Sequence, residues 1–290
     1  MTDRVELALG TAQFGLAYGV AGRGAMVDER QVGEILEQAS KLGIRRLDTA
    51  AAYGSIEERL ARLARGGDFE VVSKVPAIPE ALDAAAVRAF VLSALDRSAE
   101  RLGDLLRGML FHRAADLAGP HGAAAWEAAL GWGRRHGVVI GASGYGPAEL
   151  TALLGAYPIA MVQLPGNAID QRLVAAARGF DGVEISLRSL FLQGLLLMPE
   201  ATAARRLPAA APLLARWHGW CDAQRLSPLA ASLAVAKGLP GVRYCIVGVD
   251  DAAQLAEIAA AWADASPRTA AEIGTDDPAV IDPRQWELAA

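Results

Sequence analysis

The sequence predicts an α/β protein folded as a (β/α)8 (TIM) barrel, with one domain over residues 1–290 and variable loops at its C-terminal face. Short apolar runs alternate with helix-length segments almost to the end of the chain, and about eight such units can be counted. Connections of helical length imply parallel strand pairs with right-handed crossovers. No G-x-G-x-x-G motif opens a helix after the first strand, which argues against an open dinucleotide-binding sheet.

The first half of the chain supplies four of these units. A strand is predicted from Val5 to Gly10, and a glycine-rich loop with Gly15, Gly19, Gly22 and Gly24 follows it. Asp28 is expected to cap a helix from Glu29 to Leu42 that ends at Gly43. The next predicted elements are strand 44–48, helix 55–65, strand 69–75, helix 83–102, strand 107–112 and helix 121–136.

The second half repeats the pattern with one interruption. The predicted elements are strand Val138–Gly141, helix Pro147–Leu154, strand Ile159–Leu164, helix Asp170–Ala177, strand Val183–Leu187, helices 211–225 and 228–236, strand Val242–Val247 and helix 251–264. Residues 196–210 interrupt this order and are rich in alanine, arginine and proline. They are predicted to form a mobile surface loop.

Composition narrows the class of protein. The net charge of −5 provides no basic surface for nucleic acid or an anionic membrane, and no apolar run is long enough to span a bilayer. Cys221 and Cys245 are too few and too far apart for a disulfide framework, and no metal site is expected. The first residues lack the pattern of a signal peptide. A cytoplasmic globular protein with a small-molecule partner is expected, and its oligomeric state is left open.

Four polar residues fall at or just after the ends of predicted strands. Asp48 and Lys74 end two of them, His112 ends the next, and Tyr53 lies on the loop after Asp48. Strand C-termini of a parallel barrel converge on one face, so these side chains are expected to meet.

This set suits proton transfer to a carbonyl oxygen. A phenol titrates near ~10, and a nearby ammonium is expected to lower that pKa. Asp48 would hold Lys74 and offset the cost of its burial, while His112 would orient the carbonyl. Tyr53 is then the general acid in carbonyl reduction and the general base in alcohol oxidation. The hydride must come from a cofactor, since no side chain supplies one.

Each residue also has a simpler explanation when it is taken alone. Asp48 and Lys74 could be a structural ion pair, His112 a core histidine and Tyr53 a packing residue. Lys74 could also form a Schiff base in an unrelated lyase or isomerase. The four together, at these spacings, favour the proton-transfer site.

Four motifs in register resemble the aldo-keto reductases: LGTAQFG at residues 9–15, LDTAAAYG at 47–54, VSKV at 72–75 and LFH at 110–112. The resemblance places the catalytic tetrad of that family on Asp48, Tyr53, Lys74 and His112. It implies an NAD(P)(H)-dependent oxidoreductase acting on an aldehyde, ketone or sugar. The alternative is a nicotinamide-binding regulator or sensor with weak or no catalysis. Phe14 and Phe111 could provide an apolar wall for the substrate.

The resemblance also implies a set of cofactor contacts. They are Gly10, Thr11, Asp48, Ser143, Gln163, Arg188, Gln193, Gly194, Gly248, Gln254 and Glu257.

Four residues depart from the family pattern. Gly144 stands where asparagine is usual, and Arg188 stands where an aromatic residue often stacks on the nicotinamide. NADPH-preferring members usually carry lysine or arginine where this chain has Asp250 and Asp251. NADPH is expected from its prevalence in the family, with NADH as the alternative.

Overall fold

Eight parallel strands pair in chain order, and the eighth closes on the first. The structure is a computed structural model that describes residues 5–16, 25–64 and 68–287. The strands are β1 (Glu6–Gly10), β2 (Arg46–Asp48), β3 (Glu70–Val75), β4 (Leu106–Phe111), β5 (Val139–Ser143), β6 (Met161–Pro165), β7 (Glu184–Arg188) and β8 (Val242–Gly248). The predicted (β/α)8 barrel is therefore confirmed.

Helices surround this barrel and connect its strands. They are α1 (Ala12–Gly15), α2 (Glu29–Lys41), α3 (Ile56–Leu63), α4 (Ala84–Leu102), α5 (Ala114–Ala118), α6 (Gly122–His136), α7 (Pro147–Ala156), α8 (Arg172–Ala176), α9 (Glu200–Arg206), α10 (Ala211–Gln224), α11 (Pro228–Gly238), α12 (Ala252–Asp264) and α13 (Pro278–Ile281). Asp28 caps α2 as predicted, because its side chain accepts from the Gln31 amide. In the described part of the chain, no helix is long and apolar enough to cross a membrane.

Alternation along each strand separates the barrel interior from the layer beneath the helices. Val72, Leu110 and Met161 form a small cluster, whereas their strand neighbours Val71 and Phe111 belong to the large apolar core. Successive side chains of a strand point to opposite faces. Lys74 and His112 follow Val72 and Leu110 by two positions. Their side chains therefore point to the same inner side, at the mouth of the barrel.

A charged layer fills the other end of the barrel. The Arg46 guanidinium lies 2.8 Å from the Glu184 carboxylate and 3.3 Å from the Glu70 carboxylate, and its Cζ is 4.2 Å from the centroid of the Tyr244 ring. Arg46 is buried, so these partners offset the cost of removing its charge from water.

Residues 196–210 do not form the predicted mobile loop. They contain the end of a 3₁₀ segment (Leu192–Leu197), α9, and a second 3₁₀ turn (Pro208–Ala210). Ala203, Leu207 and Ala210 are almost fully buried in a second apolar cluster with residues of α10. The prediction was wrong because it relied on the alanine- and arginine-rich composition. The buried residues of this segment recur at intervals of four and three positions, which is the spacing of a helix face.

Element boundaries shift slightly from the prediction. Strand 44–48 is confined to Arg46–Asp48, and His112 lies just beyond β4. Gly19, Gly22 and Gly24 of the predicted glycine-rich loop, and Arg65 at the predicted end of helix 55–65, lie outside the described residues.

Candidate active site

A cleft of about 520 Å³ opens at the C-terminal face of the barrel. Predicted site residues that line it are Gly10, Thr11, Asp48, Tyr53, Gln163, Arg188, Gln193, Gly194, Gly248, Gln254 and Glu257. Lys74, His112 and Ser143 are not among the lining residues. Its lining residues run from the strand ends at the barrel centre to the first turns of α12 in the outer ring.

Asp48 and Lys74 form a buried ion pair at the inner end of the cleft. The Lys74 ammonium lies 2.8 Å and 2.9 Å from the two Asp48 carboxylate oxygens and donates to the Thr49 carbonyl oxygen at 2.8 Å. Gln163 donates to the same carboxylate at 2.6 Å. Lys74 is 1% exposed, so the carboxylate offsets its desolvation and fixes its position.

Tyr53 lies above this pair on the loop after β2. Its ring centroid is 5.9 Å from the Lys74 ammonium and 6.0 Å from the His112 ring centroid, with the two rings at 81°. Burial raises the pKa of the Tyr53 phenol above its ordinary value, and the charge of Asp48 raises it further, while Arg188 opposes the shift.

The pKa of the Tyr53 phenol is therefore raised in this arrangement, whereas the sequence predicted that it would be lowered. Both Asp48 oxygens hold the Lys74 ammonium, so the phenol is close to an ion pair rather than to an isolated cation. Tyr53 is protonated at neutral pH, as a proton donor must be.

His112 is half-buried beside Tyr53. Burial lowers the pKa of the His112 imidazole to about 4, and the nearby Lys74 charge lowers it further in the same direction. At neutral pH the ring carries no charge. It can donate one hydrogen bond to a carbonyl oxygen without competing with Tyr53 as a strong acid.

Gly15 fixes the main chain beneath Tyr53, and sequence reasoning did not identify this role. A Cβ atom at Gly15 would lie 2.0 Å from the Tyr53 carbonyl oxygen, so only glycine allows this approach. Arg59 on α3 holds the same loop by donating to the Phe14 carbonyl oxygen and, at 3.2 Å, to that of Val27. The glycine ending the LGTAQFG motif was the available signal.

We expect Gly15→Ala to lower kcat for carbonyl reduction by roughly 10²-fold, because a displaced reacting group costs about that much. Steady-state kinetics of the purified variant would measure the loss. Gly131→Ala is the matched control. A Cβ atom at Gly131 would crowd no neighbour, since the nearest atom outside the helix's own backbone is in the Arg135 side chain at 3.6 Å. Equal activity of Gly15→Ala and wild type would contradict the positioning role.

The loop after β7 approaches the cleft in a strained conformation. Ser189, Leu192 and Gln193 have positive φ angles of 63°, 48° and 54°, which L-residues rarely adopt. Leu192 is fully buried in the second apolar cluster, and Asn167 donates to the Ser189 carbonyl oxygen at 3.1 Å. These contacts stabilise a shape that presents the backbone of residues 189–194 to the cleft.

Arg188 occupies the end of β7 and lies between neutral groups. It donates to the Gly144 carbonyl oxygen at 3.0 Å, and its Cζ is 4.6 Å from the centroid of the Tyr145 ring. A side chain at Gly144 would need Glu149 and Leu150 to move, since its Cβ would lie 2.3 Å and 2.9 Å from their nearest atoms. The asparagine usual at this position has no room in this arrangement.

Two helix N-termini meet the outer part of the cleft. Ser227 caps α11 by accepting from the Ala230 amide at 3.2 Å, and Asp251 caps α12 by accepting from the Gln254 amide at 2.9 Å. Ser227 and Asp250 both line the cleft. Helix N-termini favour anionic groups such as phosphates.

Ser143 and Gln163 are register partners across β5 and β6. Gly10 and Gly248 are likewise partners across β1 and β8. A Cβ at Gly248 would lie 2.5 Å from the Gln13 side chain, so both the glycine and Gln13, which the prediction omitted, shape the inner end of the cleft.

Phe14 and Phe111 do not form the expected substrate wall. They are 0% and 1% exposed and belong to the large apolar core outside the barrel interior. Phe111 precedes His112, so strand alternation turns it away from the barrel mouth.

The geometry agrees with comparisons to known proteins. A model of the Aldo/keto reductase family matches residues 6–274. The chain belongs to this family. It is an NAD(P)(H)-dependent oxidoreductase, as aldo/keto reductases are. No curated protein sequence matches it significantly.

Solved structures share the fold of this aldo/keto reductase. The aldo-keto reductase AKR11C1 from Bacillus halodurans, solved in a holo form, superposes with a TM-score of 0.75 at 19% identity and covers 97% of this chain and 95% of that one. An aldo-keto reductase structure from Pseudomonas aeruginosa gives a TM-score of 0.62 at 24% identity and covers 89% of each chain. A second from the same organism gives 0.61 at 23% identity, covering 89% and 88%.

The residues of this aldo/keto reductase fit a nicotinamide dinucleotide. The cleft volume is in the range of ligand sites, its lining combines amide, hydroxyl and guanidinium donors, and two helix N-termini meet its outer part. A Cβ at Gly10 would lie 3.0 Å from Ile246 and one at Gly248 would lie 2.5 Å from Gln13, so these glycines keep the lining of the inner end in place.

Proposed function

We propose that this aldo/keto reductase reduces the carbonyl group of an aldehyde, ketone or sugar to an alcohol, with Tyr53 as the proton donor. The observation that carries the proposal is the placement of a partly buried, protonated tyrosine in the cleft, above the Asp48–Lys74 pair and beside a neutral histidine. This arrangement offers one proton at one place to a developing alkoxide.

Each residue of the set has a separate task. Tyr53 gives its proton to the carbonyl oxygen, and His112 orients that oxygen by a hydrogen bond from its neutral ring. Lys74 supplies positive charge below the phenolate that remains, and Asp48 holds Lys74 in place. When bound, the reduced nicotinamide supplies the hydride.

This placement argues against Lys74 as a Schiff-base nucleophile. Its ammonium donates to Asp48 and Thr49 and is buried, whereas an attacking amine must be deprotonated and reach a substrate carbonyl.

The cofactor would be held mostly by backbone and amide groups. The strained loop from Ser189 to Gly194 and the N-termini of α11 and α12 suit the pyrophosphate. Gln163 and Ser143 suit the carboxamide at the inner end, although Gln163 now donates to Asp48 and would have to share that contact. Gln254 and Glu257 suit the adenosine at the outer end.

The charges of the outer end favour NADH over NADPH. Asp250 and Glu257 line it, and among the described lining residues the single basic side chain is Arg188 at the inner end. A carboxylate repels a 2′-phosphate and can accept a hydrogen bond from a ribose hydroxyl.

We expect NADH to bind about tenfold more tightly than NADPH; this is about 1.4 kcal/mol, which lies between a close charge pair in water and one near a protein surface. Titrations that follow protein fluorescence would measure both dissociation constants. Asp250→Asn should narrow the difference, and Asp264→Asn, at the exposed C-terminal end of α12, should leave it unchanged. Tighter binding of NADPH to the wild type would contradict the choice of NADH.

The reaction itself is tested by screening carbonyl compounds with the preferred cofactor. The absorbance of the reduced cofactor is monitored during each assay. Oxidation of the reduced cofactor that depends on an added aldehyde, ketone or sugar supports the proposal. Failure of both NADH and NADPH to bind would refute it.

A further inference from the structure

Arg188 brings a positive charge to the inner end of the cleft that no carboxylate balances among residues 5–16, 25–64 and 68–287. Its contacts are the Gly144 carbonyl oxygen at 3.0 Å, the Ser189 hydroxyl at 3.4 Å and the Tyr145 ring. All three are neutral. Two acids lie nearby: Asp48 already pairs with Lys74 at 2.8 Å, and the Glu149 carboxylate accepts from the Tyr145 amide and forms no ion pair with Arg188. The guanidinium therefore keeps its net charge in the cleft.

This charge lies close to the reacting groups. Arg188 lines the cleft together with Tyr53 and Gln163. Burial is the main cause of the raised pKa of the Tyr53 phenol, and the charge of Arg188 lowers that pKa. The pKa of His112 is lowered first by burial and then by Lys74, and Arg188 adds to the decrease. Both directions are those expected of a positive charge near the proton-transfer site.

The field has a consequence for the cofactor if the proposed function holds. When bound, the reduced nicotinamide would supply a hydride to the carbonyl carbon while Tyr53 supplies a proton to the carbonyl oxygen, and the oxidised cofactor would carry one more positive charge on its ring. Gln163 and Arg188, which line the inner end of the cleft with Tyr53, would hold that ring.

We propose that Arg188 makes the cleft bind the reduced nicotinamide more tightly than the oxidised one and so adapts the enzyme to work in the direction of carbonyl reduction. Two positive charges in a partly desolvated cleft repel each other, whereas the neutral reduced ring meets no such repulsion. The overall equilibrium of the reaction is unchanged. What changes is product inhibition, because the oxidised cofactor leaves readily after turnover.

The test is a pair of binding titrations on the purified full-length protein. Protein fluorescence is followed while reduced or oxidised cofactor of the preferred type is added, without a carbonyl substrate. We expect the reduced form to bind about tenfold more tightly, the scale of one unit charge at a few ångströms in a partly exposed site. Arg188→Gln should bring the ratio close to one, mainly by tightening the oxidised form, and Arg188→Lys should keep most of the preference.

Arg284→Gln is the matched control. Arg284 lies 3.2 Å from the centroid of the same Tyr145 ring, but its guanidinium is paired with Asp282 at 2.6 Å. Removing a charge that is already balanced should leave the ratio of the two dissociation constants unchanged.

Two outcomes would overturn the inference while leaving the proposed function intact: equal affinity of the wild type for both forms, or an unchanged ratio in Arg188→Gln. Absence of binding by either form refutes the proposed function instead, so the two failures are distinguishable.

Discussion

Tyr53→Phe is expected to lower kcat for carbonyl reduction by roughly 10²–10⁴-fold, the range that general acid catalysis contributes. The substitution keeps the ring that contacts His112 and removes the proton. No other described lining residue is placed above Asp48 and Lys74 with an acidic hydroxyl, so water would have to supply the proton. Steady-state kinetics with the preferred cofactor measures the loss.

The same variant should bind the reduced cofactor with nearly wild-type affinity. Tyr157→Phe is its control, since that hydroxyl donates to the Leu117 carbonyl oxygen at 2.9 Å and lies outside the cleft lining. It should retain wild-type kcat. If Tyr53→Phe turned over as fast as the wild type, Tyr53 would not be the proton donor.

Breaking the Asp48–Lys74 pair should affect both stability and activity. Lys74→Met leaves the Asp48 carboxylate buried without its cation, and removal of one partner of a buried pair costs about 3–5 kcal/mol. We expect the free energy of unfolding, measured by urea denaturation, to fall by that amount. Activity should fall as well, because positive charge no longer lies below the Tyr53 phenolate.

A double variant separates the two effects. Asp48→Leu combined with Lys74→Met replaces the pair by apolar groups, which proteins often tolerate with little loss of stability. Most of the unfolding free energy should return while activity stays low, and the two substitutions should be strongly non-additive in a double-mutant cycle. Recovery of both stability and activity would mean that the pair is only structural.

The barrel and its inner residues could be predicted from sequence because the signals are local and periodic. Alternating strands and helices predict parallel pairing, and a strand period of two directs Asp48 and Lys74 inward once the strands are located. Tyr53 could be added to the predicted proton-transfer site because it follows Asp48 closely along the chain. Ser143 and Gln163 were found through the resemblance, and the structure makes them neighbours across two strands.

Other features depend on contacts between distant segments and could not be predicted in this way. The crowding of Gly15 against Tyr53 and the reach of Arg59 to the Phe14 carbonyl oxygen involve partners 38 and 45 positions apart. The pairing of the Lys74 ammonium with both Asp48 carboxylate oxygens also depends on the relative positions of two strands. Phe14 and Phe111 were misplaced because aromatic residues near a barrel mouth suit the core and the cleft equally well.

The roles of the individual site residues, the choice of nicotinamide, and the extent of the chain as one domain over residues 1–290 stay predictions. Location in the cytoplasm does so too.

The second apolar cluster connects the cleft to a part of the chain that never touches it. Trp217 on α10 donates to the Leu196 carbonyl oxygen at 3.0 Å, and Leu192 is buried in the same cluster at the base of the strained loop. The shape of that loop therefore depends on packing against helices that lie outside the cleft. Substitutions confined to α9 or α10 are therefore expected to change cofactor affinity, although no residue of these two helices lines the cleft.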